Sequence, residues 1–219
     1  MVITLIQRLR HASVAREALQ EWIQDSLNAA PAAPFFDGRI MMTEEACRAA
    51  VPAAVLVALV DRPEGVHVLL TKRTLHLSDH AGQISFPGGR IEGSDPNPIH
   101  TALRESEEEI GLLPQQVRVL GTLREYFIPT GYRVIPVVGW VQPPLTLKAD
   151  KFEVAEIFEV PLEHFFDPTR HAIKEDMRAG QKRRYYSIPY QDWHIWGATA
   201  GILVELYQVL NQAPGPARR

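Results

Sequence analysis

The stretch Arg104-Glu105-Ser106-Glu107-Glu108-Glu109-Ile110-Gly111 carries glutamate at four of five consecutive positions, 105 and 107 to 109. On an α-helix Glu105, Glu108 and Glu109 stand at i, i+3 and i+4 and share one face, where each like-charge pair costs roughly 0.2–0.5 kcal/mol. With Gly111 as the helix stop, these acids lie at the negative end of the helix dipole, a further cost of about 0.3–1 kcal/mol each if exposed. A nearby cation would offset both terms. Hard carboxylate oxygens with no cysteine or paired histidine beside them suit Mg²⁺ or Mn²⁺ rather than zinc, and such ions serve phosphate chemistry. The competing reading is a solvated acidic face, which is what most charge runs are. Glu107 falls off the shared face and is assigned to solvent.

A second unusual stretch, Phe86-Pro87-Gly88-Gly89, lies shortly upstream. Paired glycines permit positive φ or close approach of a backbone to a ligand, although an ordinary turn would use them too. Proximity to the acidic helix makes them informative. His76 and His80 are four apart but lack the glutamate of a zinc protease motif, so zinc is disfavoured there. Tyr126, Phe127, Tyr132, Tyr185, Tyr186 and Trp193 are candidates to stack on a base, with sheet packing as the competing role of each.

The elements that must position these residues follow from local pattern. Val51–Val60, Val66–Thr71, Val117–Leu123, Val134–Val141 and Val154–Val160 are short apolar, β-branched runs and predict strands. Asn97-Pro98 supplies a cap and a first-turn proline, and Gly111 a stop, so a helix of about thirteen residues is predicted between them. A second helix is predicted over 198–210, with Ile202, Leu203, Leu206, Val209 and Leu210 on one stripe. Residues 1–49 read as an N-terminal helical arm whose helix is broken by the Pro/Ala turn at 29–34, and 213–219 as a flexible tail. The order of elements predicts an α/β protein with a mixed sheet and helices on its faces.

Composition bounds the rest. The 219 residues suit one substantial domain. Net charge is 23 − 26 = −3, which disfavours bulk binding of nucleic acid. The longest apolar run has ten residues, Val51–Val60, against the ~20 needed to span a bilayer, so no membrane association is expected. One cysteine, Cys47, cannot form an intrachain disulfide, and the apolar N-terminus does not resemble a secretory signal; a cytoplasmic setting is expected.

Gly89, the carboxylate at Asp95, Arg104-Glu105, Glu108-Glu109 and Gly111-Leu112 together resemble the Nudix box. The interval from Asp95 to Arg104 is one residue longer than the family's usual spacing, Asp95 replaces the common glutamate, and Ser106 stands where an apolar residue is typical. Leu69-Leu70-Thr71-Lys72-Arg73, through Gly82, to Phe86-Pro87-Gly88-Gly89 resembles the motif preceding the box in coenzyme A pyrophosphatases, with Thr74 for serine or alanine and Ser78 for arginine. The segment Trp196–Leu203 resembles that subfamily's closing helix.

The resemblance implies a Nudix-type α/β/α sandwich over residues 50–212 and hydrolysis of coenzyme A or its thioesters at the diphosphate, assisted by Mg²⁺ or Mn²⁺. Glu105 and Glu109 are expected as direct metal ligands, with Glu108 as a further or water-mediated one. Glu153, Glu108 and Arg104 form the expected catalytic set: Glu153 as general base, with Glu125 as its weaker rival, and Arg104 more as an orienting partner of the glutamates than as a phosphate contact. Lys72, Arg73, Gly88, Gly89 and Arg90 are the expected substrate-binding positions. The partner is a small molecule, and similar enzymes suggest a homodimer. Alternatives are a pyrophosphatase for ADP-ribose, dinucleotides or another nucleoside diphosphate derivative, and a non-catalytic nucleotide sensor.

Overall fold

The computed structural model describes residues 16–31, 43–77, 80–178 and 181–213. Two helices precede the first strand, α1 (Arg16–Ala29) and α2 (Glu44–Ala49). The main sheet then uses β1 (Val51–Arg62), β2 (Gly65–Arg73), β3 (Ile84–Ser85), β4 (Gly88–Arg90), β5 (Val117–Thr122), β6 (Tyr126–Ile128), β7 (Tyr132–Val141) and β8 (Val154–Pro161). Helix α3 (Pro98–Ile110) lies between β4 and β5, the short α4 (Leu162–Phe165) follows β8, and α5 (Gly197–Gln212) closes the described chain. The sheet is mixed. β1 and β7 run parallel from Val51↔Tyr132 to Val60↔Val141, while β2, β4, β5, β6 and β8 pair antiparallel with their neighbours. A parallel pair needs a long crossover, and the chain carrying α3 is part of it.

The sheet separates two cores. Ala54, Leu56, Ala58, Val60, Leu69, Val137 and Val141 face α3, packing with its Ala102 and Ile110. Ala53, Val57, Leu59, Val68, Leu70, Val134 and Val138 face the other side, under α1 and α5. β1 is therefore buried on both faces, which is why it reads as a continuous apolar run rather than an alternating one. The result is a helix/sheet/helix sandwich, as the pattern predicts. Leu19, Trp22, Ile23 and Leu27 of α1 share the core of α5, so the helix of the N-terminal arm is packed into the sandwich. The resemblance to the Nudix fold extends from residue 50, and nothing in the sequence pattern indicated this docking.

A separate three-stranded sheet, β9 (Ala172–Arg178), β10 (Gln181–Tyr190) and β11 (Trp193–Trp196), went unread in the sequence. Its charged residues break the alternation: Glu175 pairs with Arg184, and Asp176 with Arg183, across β9 and β10. Among the described residues, no helix is long and apolar enough to cross a membrane.

Candidate active site

α3 begins and ends where its sequence dictates. The Asn97 side chain accepts from His100 N–H at 2.9 Å, Pro98 occupies the first turn, and Gly111 takes φ 68° as its N–H donates to Glu107 O. Ser106, at the position where an apolar residue is typical of the Nudix box, is fully buried and donates to Ala102 O at 2.6 Å, so its hydroxyl is satisfied within the helix. The glutamates separate by face. Glu109 is buried, Glu105 partly so, Glu108 is exposed and bound to Arg104, and Glu107 points to solvent.

Glu109 reaches under the Pro-Gly-Gly turn. One oxygen accepts from Gly88 N–H at 3.2 Å; the other lies 3.9 Å from the Arg73 guanidinium. Burial pushes the Glu109 carboxyl up to about 8, and the Gly88 and Arg73 contacts offset this only in part. Burial also raises Glu105, outweighing its 2.9 Å contact with Arg104. The charge of Glu153 raises both groups further, so Glu153 belongs to the same electrostatic cluster. Glu125, its rival, is in a 3.2 Å pair with Arg133.

Asp95 is not aimed at this cluster. Its side chain is 1% exposed and accepts from Arg104 Nε and Nη2 at 3.1 and 3.0 Å, Thr101 Oγ1 at 2.9 Å and Glu92 N–H at 3.0 Å, with His100 Nδ1 also at 2.9 Å. These contacts, Arg104 first, hold its carboxyl well below the usual range. Arg104 thus bridges the loop acid Asp95 to Glu105 and Glu108. The longer loop and shorter side chain were the available signal for this different geometry.

The expected substrate-binding cations divide between the two faces. Arg73 points toward α3 and Glu109. Lys72, one residue earlier, emerges on the opposite face, its ammonium 5.3 Å from the Trp193 ring centroid. Arg90 also leaves the carboxylates: it donates to Tyr132 Oη at 2.6 and 3.2 Å and lies over that ring. Ser78 lies outside the described residues.

Two comparisons bear on this arrangement. Residues 50–180 match the family profile of the NUDIX domain. A protein of Escherichia coli K12 described as an uncharacterized Nudix hydrolase, NudL, is 42% identical over 162 residues, 74% of this chain and 84% of its own. The chain belongs to the Nudix family. It is a Nudix hydrolase, and the box around Gly89 and Glu105–Glu109 is where its family membership and its geometry coincide. Solved Nudix structures align more loosely: RenU of M. smegmatis at 26% identity and TM-score 0.45 over 52% of this chain and 73% of its own, and a MutT/nudix family protein of Enterococcus faecalis at 17% and 0.46 over 89% and 74%.

Nudix hydrolases generally use divalent metal ions. Among the described residues no three His, Cys, Asp or Glu side chains close into a ready-made cage; Glu109 is turned partly to Gly88 and Glu105 to Arg104. The donors nevertheless fit a hard divalent ion. They are all oxygen, their buried charge is only partly neutralised, and Gly89 leaves an open cradle, since a Cβ there would stand 2.5 Å from the Glu105 carboxylate.

Proposed function

We propose that this Nudix hydrolase cleaves the diphosphate of coenzyme A or its thioesters, giving (acyl-)4′-phosphopantetheine and adenosine 3′,5′-bisphosphate, with Mg²⁺ or Mn²⁺ as the ion. The coarser activity, hydrolysis of a nucleoside diphosphate derivative, is that of the family. The observation carrying the finer reading is that Arg73, from the longer motif resembling that of coenzyme A pyrophosphatases, ends 3.9 Å from Glu109 of the box. The segment that resembles a substrate-recognition motif therefore meets the carboxylates.

Glu105 and Glu109 would hold the ion, with Glu108 as a further or water-mediated donor. When bound, the ion supplies charge neutralisation at the phosphate oxygens. Arg73, whose guanidinium stands 3.9 Å from Glu109, would donate to a phosphate oxygen of the substrate. Glu153 accepts the proton of the attacking water. Arg104, fixed by Asp95, keeps Glu105 and Glu108 oriented. Gly88 and Gly89 leave room for the substrate at the turn. Lys72 and Arg90 would meet substrate only from the opposite face of the sheet. A cytoplasmic setting and a homodimer belong to the same reading, supported by the lone cysteine for the first and by the resemblance for the second.

A second reading, hydrolysis of ADP-ribose, a dinucleotide or another nucleoside diphosphate derivative, is favoured by Ser78, which removes the arginine of the longer motif. Mass spectrometry of products separates the two. Coenzyme A, dephospho-coenzyme A, ADP-ribose and a dinucleotide are incubated side by side with and without Mg²⁺ or Mn²⁺. Phosphopantetheine from coenzyme A, in preference to the dephospho form and only with metal, is expected. Cleavage of ADP-ribose alone would replace the substrate while keeping the chemistry.

A further inference from the structure

Glu153 stands at the end of a segment, residues 142–153, that precedes β8. The segment is fastened to the C-terminus of α3, where Lys148 N–H donates to Ile110 O at 2.9 Å and Asp150 N–H to Glu109 O at 2.8 Å. Helix carbonyls left free by the end of α3 are thereby satisfied, and Leu145, Leu147 and Ala149 pack into the α3 core beside them. These contacts bring the segment to the carboxylates, and Asp150 O, accepting from Glu153 N–H at 3.1 Å and Val154 N–H at 2.8 Å, holds one side of the two peptide units that flank Glu153.

Thr74 holds it from the other side. Its N–H donates to Glu153 O at 2.9 Å and its hydroxyl to Phe152 O at 2.8 Å. These two carbonyls belong to the peptide units immediately before and after the Glu153 Cα. Because peptide units are planar, gripping both carbonyls limits rotation about the two bonds between them, and Thr74 and Asp150, from opposite sides, together fix the direction of the Glu153 Cα–Cβ bond. Thr74 is itself anchored, its carbonyl accepting from Gly82 N–H at 3.3 Å, and it is buried, so water does not readily replace a lost contact.

We propose that Thr74 is a positioning residue for Glu153, its hydroxyl holding the general base in the orientation that meets the attacking water. The inference rests on the base role of Glu153. It assigns a function to a residue that otherwise reads only as a variant of the upstream motif.

The test uses the full chain with Thr74→Val, Thr74→Ser and Glu153→Gln, measuring kcat and KM on the best substrate of the product screen, Mn²⁺ affinity by calorimetry, and thermal unfolding. Valine keeps the shape and the N–H bond but loses the hydroxyl. Thr74→Val is expected to lower kcat by about ten- to a hundredfold, with KM and Mn²⁺ affinity within about twofold of the original, and Thr74→Ser to restore kcat. If valine prevents folding, Thr74→Ala with the same measurements replaces it. Unchanged kcat in the valine variant, beside a collapsed rate in Glu153→Gln, would overturn the role of Thr74 while keeping that of Glu153. Unchanged kcat in Glu153→Gln would remove the base and with it the positioning role. A parallel fall in kcat, Mn²⁺ affinity and melting temperature would make Thr74 a general structural residue and also overturn the proposal.

Discussion

Gly89 lies directly against Glu105: a Cβ added at residue 89 would stand 2.5 Å from the glutamate's carboxylate. The obstructing atoms are the far end of a side chain, so a methyl group there displaces the carboxylate rather than the backbone. Gly88 differs. It has φ +150°, and its Cβ would meet the Ala54 carbonyl at 2.4 Å. Gly89→Ala is expected to reduce turnover by about ten- to a hundredfold with nearly unchanged melting, whereas Gly88→Ala lowers the melting temperature itself. Calorimetric unfolding alongside kcat distinguishes the two.

Glu105→Gln and Glu109→Gln each remove a carboxyl group able to ionise on binding a cation while keeping its shape. Turnover should fall by about 10²–10³-fold or more in either variant, from lost transition-state stabilisation. Mn²⁺ affinity should fall with it. Because Glu109 is buried, its neutral amide leaves thermal stability equal or higher. Normal turnover in both variants would remove the metal assignment.

The two adjacent cations Lys72 and Arg73 should respond differently to truncation. Arg73→Ala is expected to raise KM or lower kcat by at least about tenfold, because the lost group faces Glu109 and would contact phosphate. Lys72→Ala, which withdraws an ammonium from the Trp193 ring on the other face, should change kcat/KM by less than about threefold. Equal losses would show that substrate spans both faces of the sheet edge.

Asp95 makes acid stability sensitive to a single residue. Its folded carboxyl titrates below the unfolded value of about 3.9. The unfolded chain therefore binds more protons in the interval between them, and the contribution of Asp95 is present above the unfolded pKa and lost as pH falls through the folded one. Asp95→Asn should lower the melting temperature at pH 6 and flatten its decline below about pH 4. Melting curves from pH 6 to 2.5 check both effects. An unchanged acid slope would assign the linkage to other carboxylates.

Much of the site was legible because its signals are local. The cap at Asn97, the left-handed Gly111 and the i, i+3, i+4 spacing of Glu105, Glu108 and Glu109 all act within a few residues, and the helix appears where they place it. The solvent exposure of Glu107 followed from the same helical geometry. The strands with strong β-branched runs were equally plain. The β9–β11 sheet was not, since its cross-strand ion pairs put charges where an apolar alternation would have been recognised.

The amino-acid sequence by itself determined the acidic helix, its limits, the glycine turn before it and the resemblance to the Nudix box, because each depends on near neighbours in the chain. Only the tertiary structure decided that α1 joins the α5 core, that Asp95 clamps Arg104, that Thr74 grips the backbone of Glu153, and that Lys72 and Arg73 part to opposite faces. The physical reason is that contacts between segments many residues apart depend on strand register and on how helices dock against the sheet. A difference of one residue along a strand reverses the face on which a side chain acts.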